Sequence, residues 1–173
     1  MTSDSDKRLP SDFADANVIS IGVGELAVAA LPNYLMTPAL GSCVGVALYD
    51  SLLQQGGLAH IMLPSPTDCA RAERLERFAT VAVPALAQAM TEIGSARRRL
   101  VAKIAGGAAM FQADAALATI GDRNVAEVRK QLRLLRIPIV AEDVGNGHAR
   151  TVELHLDTGL FIVRSYLYGV KRL

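Results

Sequence analysis

The sequence predicts an α/β fold: a layered sandwich of mixed, largely antiparallel β-sheet with flanking helices. Three observations support this. Apolar runs of strand length recur between residues 18 and 63 and again between 139 and 166. Two stretches with apolar residues at helical spacing lie between these groups of strands. Hairpins expected near both ends require antiparallel pairing, which argues against a purely parallel sheet.

Taken in order, the opening MTSDSDKRLPSD has no apolar centre of the kind a signal peptide needs. It reads as part of a mobile polar tail over residues 1–15, ahead of one domain over 16–173, a length that suits a single sizeable core. Val18–Ile21 and Leu26–Ala30 read as short strands around a Gly22-Val23-Gly24 turn. Gly22, Gly24 and Ala27 superficially fit a dinucleotide-binding pattern, but Pro32 arrives before the required helix can form. That cofactor reading is rejected.

From Thr37 to Pro64 the chain reads TPALGSCVGVALYDSLLQQGGLAHIMLP. Val44, Val46 and Leu48 alternate with Gly45, Ala47 and Tyr49, as in a strand. Leu58–Leu63 forms the second strand, and Asp50–Gly57 the hairpin loop between them. Next comes a helix capped by Thr67 or Asp68 and ended by Gly94, with Leu75, Phe78, Ala82, Leu86 and Ile93 on its apolar stripe. Pro84 should kink or divide it. Arg97–Arg99 is a basic run at the helix end, read as a solvated face.

Arg99–Ile104 reads as a strand followed by Gly106-Gly107. No Gly-Lys-Ser/Thr follows, so the pair is not a phosphate loop; close approach of backbone is reason enough for it. Asn124-Val125-Ala126-Glu127 resembles a capping box that would start a second helix. Val125, Val128, Leu132 and Leu135 form its buried face, and Ile137-Pro138 closes it. Ile139–Ala141, Thr151–Leu156 and Leu160–Tyr166 complete the strands, the last two joined by Asp157-Thr158-Gly159.

Composition narrows function. A formal charge of +1 implies no general attraction to nucleic acid or to a membrane surface. No apolar run approaches the length of a membrane-spanning helix. With two cysteines, Cys43 and Cys69, and no export signal, a reducing cytoplasm is the expected compartment.

Chemistry concentrates in the central hairpin. Folding its strands together brings Cys43 alongside His60, seventeen positions apart. At pH 7 only roughly 3% of a free thiol is thiolate, and an adjacent imidazole raises the reactive fraction by taking the proton. Gly41 and Ser42 allow a sharp turn whose free N–H groups can stabilise an oxyanion. Thr37 can supply an oxygen that fixes the histidine tautomer. On spacing alone a second reading stands: a buried cysteine acting as a small hydrophobe, beside a satisfied strand histidine.

Cys69, placed in the first turn of a helix, is a rival nucleophile, although no histidine accompanies it in a recognisable pattern. Asp157-Thr158-Gly159 matches one half of an aspartic-protease dyad, and a lone carboxylate cannot make the pair. His148 and His155 lack partners at metal-ligand spacing, and His155 reads as a solvent-facing strand residue. The sequence calls for no cofactor and no metal.

The residues LGSCVGVALYD (40–50), GGLAHIMLP (56–64), KIAGGAAMF (103–111), IGDRNV (120–125) and IVAEDVGNGHAR (139–150) resemble the CheD family of chemoreceptor glutamine deamidases. The likeness runs from about Ile19 to Arg164 with the blocks in family order. It implies a sandwich related to the deamidase fold of bacterial necrotizing toxins, with Cys43 as nucleophile, His60 as acid/base and Thr37 orienting it. It places Gly106-Gly107 near the active site. It implies substrate glutamines on the cytoplasmic helices of chemoreceptors, and a side activity on glutamyl methyl esters. One departure stands out: Pro38 and Ala39 occupy positions where the family usually has an apolar residue and a glycine, and Ala39 lacks the positive-φ freedom of glycine. Two rival functions are weighed against the deamidase. One is a regulatory binding module for a CheC-type phosphatase acting on phosphorylated CheY, which the resemblance also allows. The other is a general cysteine protease, for which no extended peptide cleft is evident.

Overall fold

Every residue of Val44–Asp50 (β4) is buried, because this strand is central in its sheet and covered on both faces. The computed structural model describes residues 17–66, 74–110 and 119–173. The expected polar tail, the Thr67 or Asp68 cap and Cys69 lie outside the described residues. Within them, the strands are β1 (Val18–Ser20), β2 (Leu26–Ala30), β3 (Tyr34–Leu40), β4, β5 (Gln55–Ile61), β6 (Val101–Gly106), β7 (Ile139–Val144), β8 (Arg150–His155), β9 (Phe161–Ser165) and β10 (Gly169–Arg172). The helices are α1 (Ala79–Glu92) and α2 (Ile120–Leu134). No helix among the described residues is long and apolar enough to cross a membrane.

The strands form two five-stranded sheets, ordered β1-β3-β8-β9-β10 and β2-β5-β4-β6-β7. Pairing is antiparallel except for β1–β3 and β6–β7. This is the mixed α/β sandwich that the sequence predicts. The period-2 alternation of β4 explains the layering. Val44, Val46 and Leu48 pack with Ala82, Val83 and Leu86 of α1 and Val125, Val128 and Leu132 of α2. On the other face, Ala47 and Tyr49 pack with Leu35, Leu40, Val152 and Leu154 of the second sheet. Helices, sheet and sheet therefore stack as three layers, and the gap between the sheets is where β3 and β5 meet.

Several elements differ from expectation for identifiable reasons. The hairpin loop shrinks to residues 51–54, since Gly56 and Gly57 lie inside β5. A Cβ on Gly56 would strike Leu154 and Leu156 on one face, and one on Gly57 would strike Leu86 on the other. These glycines admit close packing and do not mark a turn. A 3₁₀ turn at Leu75–Arg77 precedes α1, which begins after Phe78, so Leu75 is 52% exposed and leaves the predicted stripe. Pro84 sits within α1 without dividing it.

Helix α2 starts earlier than predicted. Its capping box joins Thr119 and Asp122, and Asn124 lies buried in the helix interior. Arg99 is not simply solvated. It forks onto the buried Asp50 carboxylate through Nε and Nη2, the latter at 2.8 Å, and holds that carboxyl below its usual range. His155 is part-buried, stacked on Tyr34 with ring centroids 5.0 Å apart and paired with Glu153. The exposed strand β10 has no apolar alternation and was not anticipated.

Candidate active site

Thr37 and His60 come from opposite sheets and meet in the layer between them. The Thr37 hydroxyl lies 2.6 Å from the Ile21 carbonyl and 2.7 Å from His60 Nδ1. A carbonyl only accepts, so the single hydroxyl proton is donated to Ile21. Thr37 Oγ1 must then accept from His60, which places the ring proton on Nδ1. Nε2 is left with its lone pair, the form a general base requires. Nε2 is buried and has no hydrogen-bond partner among the described residues. With His60 only 2% exposed, burial pushes the imidazole below its ordinary pKa and favours the neutral ring.

The register of β4 and β5 places Cys43. Gly45 lies opposite His60 and Val44 opposite Ile61, so Cys43, just before β4, is a diagonal neighbour of His60. The two share the face turned toward the second sheet, against which Cys43 packs. Sequence reasoning thus brought the right strands together, but no hydrogen bond links the thiol to Nε2 in this state. Partial burial pushes the Cys43 thiol upward in pKa. The resting pair is therefore a neutral thiol beside a neutral imidazole. Together they hold one transferable proton, one nucleophilic sulfur and one base.

Three consecutive carbonyls around the cysteine are held. Ala108 N–H donates to Gly41 O at 2.8 Å, and Gly107 N–H to Cys43 O at 2.7 Å. Between them, Asn124 Nδ2 donates to Ser42 O at 2.9 Å, and its second hydrogen goes to Met62 O, also at 2.9 Å. Gly106 has φ +108, and a Cβ there would collide with the Cys43 carbonyl. This is the close backbone approach expected of the Gly106-Gly107 pair. Asn124 is the site residue that sequence reasoning missed. The available signal was its spacing from Gly121 and Val128, three back and four ahead, which puts it on the inward face of α2.

Cys43 opens onto a cavity of about 440 Å³ walled by Ala39, Gly41, Ser42, Ala108, Met110 and, at the start of α2, its N-cap Thr119 and first residue Ile120. His60 is not among its walls. The lining is mostly small and apolar, which suits an uncharged side chain with a short aliphatic stem. Pro38 and Ala39 form a bulge in the β3–β8 ladder between Thr37 and Leu40, and Ala39 takes φ 59. Despite this departure, Thr37 reaches His60.

The family model described as CheD chemotactic sensory transduction matches residues 62–165, a span that does not itself contain Thr37, Cys43 or His60. Curated relatives extend the likeness over most of the chain. A probable chemoreceptor glutamine deamidase CheD 2 of Geobacter metallireducens is 44% identical over 161 residues, covering 91% of this chain and 99% of the relative. Probable chemoreceptor glutamine deamidases CheD of Moorella thermoacetica and Clostridium novyi are 45% and 42% identical. They cover 85% and 88% of this chain and 90% and 96% of their own lengths.

Proposed function

The chain belongs to the CheD family, and on that premise we propose that it is a chemoreceptor glutamine deamidase, a hydrolase of bacterial chemotaxis acting in the cytoplasm. The deamidase domain comprises residues 16–173. Its protein substrate is the cytoplasmic helical region of chemoreceptors. The relay Ile21–Thr37–His60, with an unpaired Nε2 diagonal to Cys43, is the observation that most supports this reading.

Cys43 is the nucleophile, His60 the acid/base and Thr37 the group that orients it. A glutamine side chain enters the cavity with its carboxamide carbon at the sulfur. His60 Nε2 accepts the thiol proton as the C–S bond forms, and the carbonyl becomes a tetrahedral oxyanion. The imidazolium then gives that proton to the departing nitrogen. Ammonia leaves, and a thioester remains. Water, deprotonated by His60, attacks the thioester; the C–S bond breaks, the thiol regains a proton, and glutamate is released. A glutamyl methyl ester enters the same acyl-enzyme with methanol as the leaving group, which accounts for an esterase side activity. Each deamidation replaces a neutral amide by a carboxylate, adding negative charge where receptor helices pack together.

The test is co-expression with a receptor cytoplasmic fragment, comparing the wild type with Cys43→Ser. Peptide mass spectrometry should show selected glutamines gaining about one dalton, the amide-to-acid change that acyl-enzyme hydrolysis requires, with the wild type only. Conversion that persists in the serine variant removes Cys43 from the mechanism.

A further inference from the structure

Asn124, about one turn into α2, is an unusual residue to find inside a helix. Asparagine is a poor helix former, because its side chain competes for backbone hydrogen bonds. Here it is fully buried, and its Oδ1 has no hydrogen-bond partner among the described residues. An unpaired buried amide oxygen carries a desolvation cost, which the two hydrogen bonds of the same amide offset. Those bonds form a two-point clamp. One Nδ2 hydrogen goes to Ser42 O, in the peptide bond that leads into Cys43; the other goes to Met62 O, two residues beyond His60. Only the rotamer with nitrogen toward these two acceptors satisfies both carbonyls, which fixes the amide orientation.

The neighbouring backbone cannot substitute for it. Gly107 and Ala108 hold the carbonyls of Cys43 and Gly41, while Ser42 O, within the bend at residues 41–43, is held from α2 by Asn124. A trans peptide unit is planar with its C=O and N–H opposed. Anchoring Ser42 O therefore also fixes the direction of the Cys43 N–H, and with Cys43 O held by Gly107 both peptide planes that flank the Cα carrying the sulfur are set.

We propose that Asn124 is a positioning residue for the acyl-transfer site: by tying Ser42 O to Met62 O, it sets the separation and orientation of the Cys43 thiol relative to His60. The proposal rests on the deamidase reading of this site. It extends the site to a third element, since Thr37 and His60 come from the two sheets and Asn124 from α2. It assigns α2 a positioning duty in addition to covering the sheet. Because a reacting atom displaced by about 1 Å can cost on the order of 10²-fold in rate, removing the clamp should act on turnover more than on binding.

The test compares Asn124→Ala with Val128→Ala, a truncation one turn along the same helix face that loosens α2 without touching either carbonyl. Deamidation kinetics are read on the receptor fragment, and iodoacetamide labelling at the Cys43 peptide is followed against pH by mass spectrometry. For Asn124→Ala, kcat should fall at least about tenfold with KM within about threefold, and the Cys43 labelling profile should shift because a reoriented thiol changes its burial; Val128→Ala should leave both close to wild type once the folded fraction is accounted for. Wild-type kcat and labelling in folded Asn124→Ala, or the same loss in Val128→Ala, overturns the proposal. Should the alanine variant not fold, Asn124→Asp decides. It keeps the shape and reverses the donors, and wild-type kcat in the folded aspartate variant overturns the proposal equally. Cys43→Ser separates the two levels of the argument. If it still deamidates, the deamidase mechanism fails, while the labelling profile continues to judge the clamp independently.

Discussion

Gly45 lies directly opposite His60 in the β4–β5 ladder, at the point where the imidazole turns toward Thr37 of the other sheet. The His60 backbone bonds outward, its N–H to Glu25 O and its carbonyl from Gly24 N–H. Gly45 and His60 are thus a non-hydrogen-bonded pair, the closer of the two antiparallel geometries. The missing side chain at Gly45 makes room for the second sheet. A Cβ there would lie 2.9 Å from Leu40 Cδ1, 3.3 Å from Val152 Cγ2 and 3.6 Å from Thr37 Cγ2.

Gly45→Ala should therefore act as an overpacking mutation at the seam that holds the relay. Leucine and valine methyls can yield by a few tenths of an ångström, so the fold survives with a loss of about 1–3 kcal/mol. Pushing β3 outward lengthens the Thr37–His60 hydrogen bond, and turnover should fall with it. Urea unfolding and ammonia release measure the two effects. Undiminished turnover would mean that the sheets separate without disturbing the relay.

Thr37→Val keeps the shape of the side chain and removes its hydroxyl. The Ile21 carbonyl and the His60 Nδ1–H then lose their partner in a buried layer, at a cost of about 1–3 kcal/mol. The imidazole also loses the acceptor that selects its tautomer, so kcat should drop about tenfold or more. Thr37→Ser, which retains the oxygen, should keep most of the activity. Nitrogen NMR of labelled histidine would read the tautomer directly: Nε2 unprotonated in the wild type, mixed in the valine variant. Equal turnover in the serine and valine variants would separate the hydroxyl from catalysis.

The central hairpin was legible because each face of β4 packs against a different layer, and period-2 alternation survives that arrangement. Pairing the strands was then enough to place Cys43 near His60. The features that escaped depend on contacts between distant segments. Gly56 and Gly57 read as a turn because their cause, leucines approaching from both faces, lies outside the hairpin. Asn124 read as a cap because sequence neighbours suggest local hydrogen bonding, whereas its partners are 82 and 62 residues away. Arg99 read as solvated because its partner, Asp50, lies 49 residues back at the end of β4. Polar side chains and glycines carry little periodic signal, so their duties emerge only once the layers are assembled.

Ala39 offers a test of the bulge beside the site. At φ 59 an L-residue carries roughly 1–2 kcal/mol of strain, part of which glycine would return as lost backbone entropy. Ala39→Gly should therefore stabilise the protein by about 0.5–1 kcal/mol, which raises Tm by about 1–4 °C for a chain of this size. Calorimetry checks it. A lower Tm would show that the methyl group's packing outweighs the backbone strain.

The pH dependence follows from burial of both reacting groups. Burial lowers the His60 pKa, so the neutral base survives as pH falls and protonates only below its ordinary midpoint of about 6.5. Burial raises the Cys43 pKa, so the thiol keeps its proton until pH rises above the usual range of about 8.5. The doubly neutral pair, which holds the one proton that the reaction moves to ammonia, should thus dominate between those limits. kcat/KM should form a broad plateau with its acid limb below about pH 6.5 and its alkaline limb above about pH 8.5. Resting alkylation of Cys43 should instead be slow at neutral pH and climb into the alkaline range, since no hydrogen bond from His60 holds a thiolate. His60→Ala should leave that alkylation profile nearly unchanged while abolishing turnover. Fast labelling that persists down to pH 6, and is lost in His60→Ala, would instead reveal a preformed thiolate–imidazolium pair and contradict the neutral resting state.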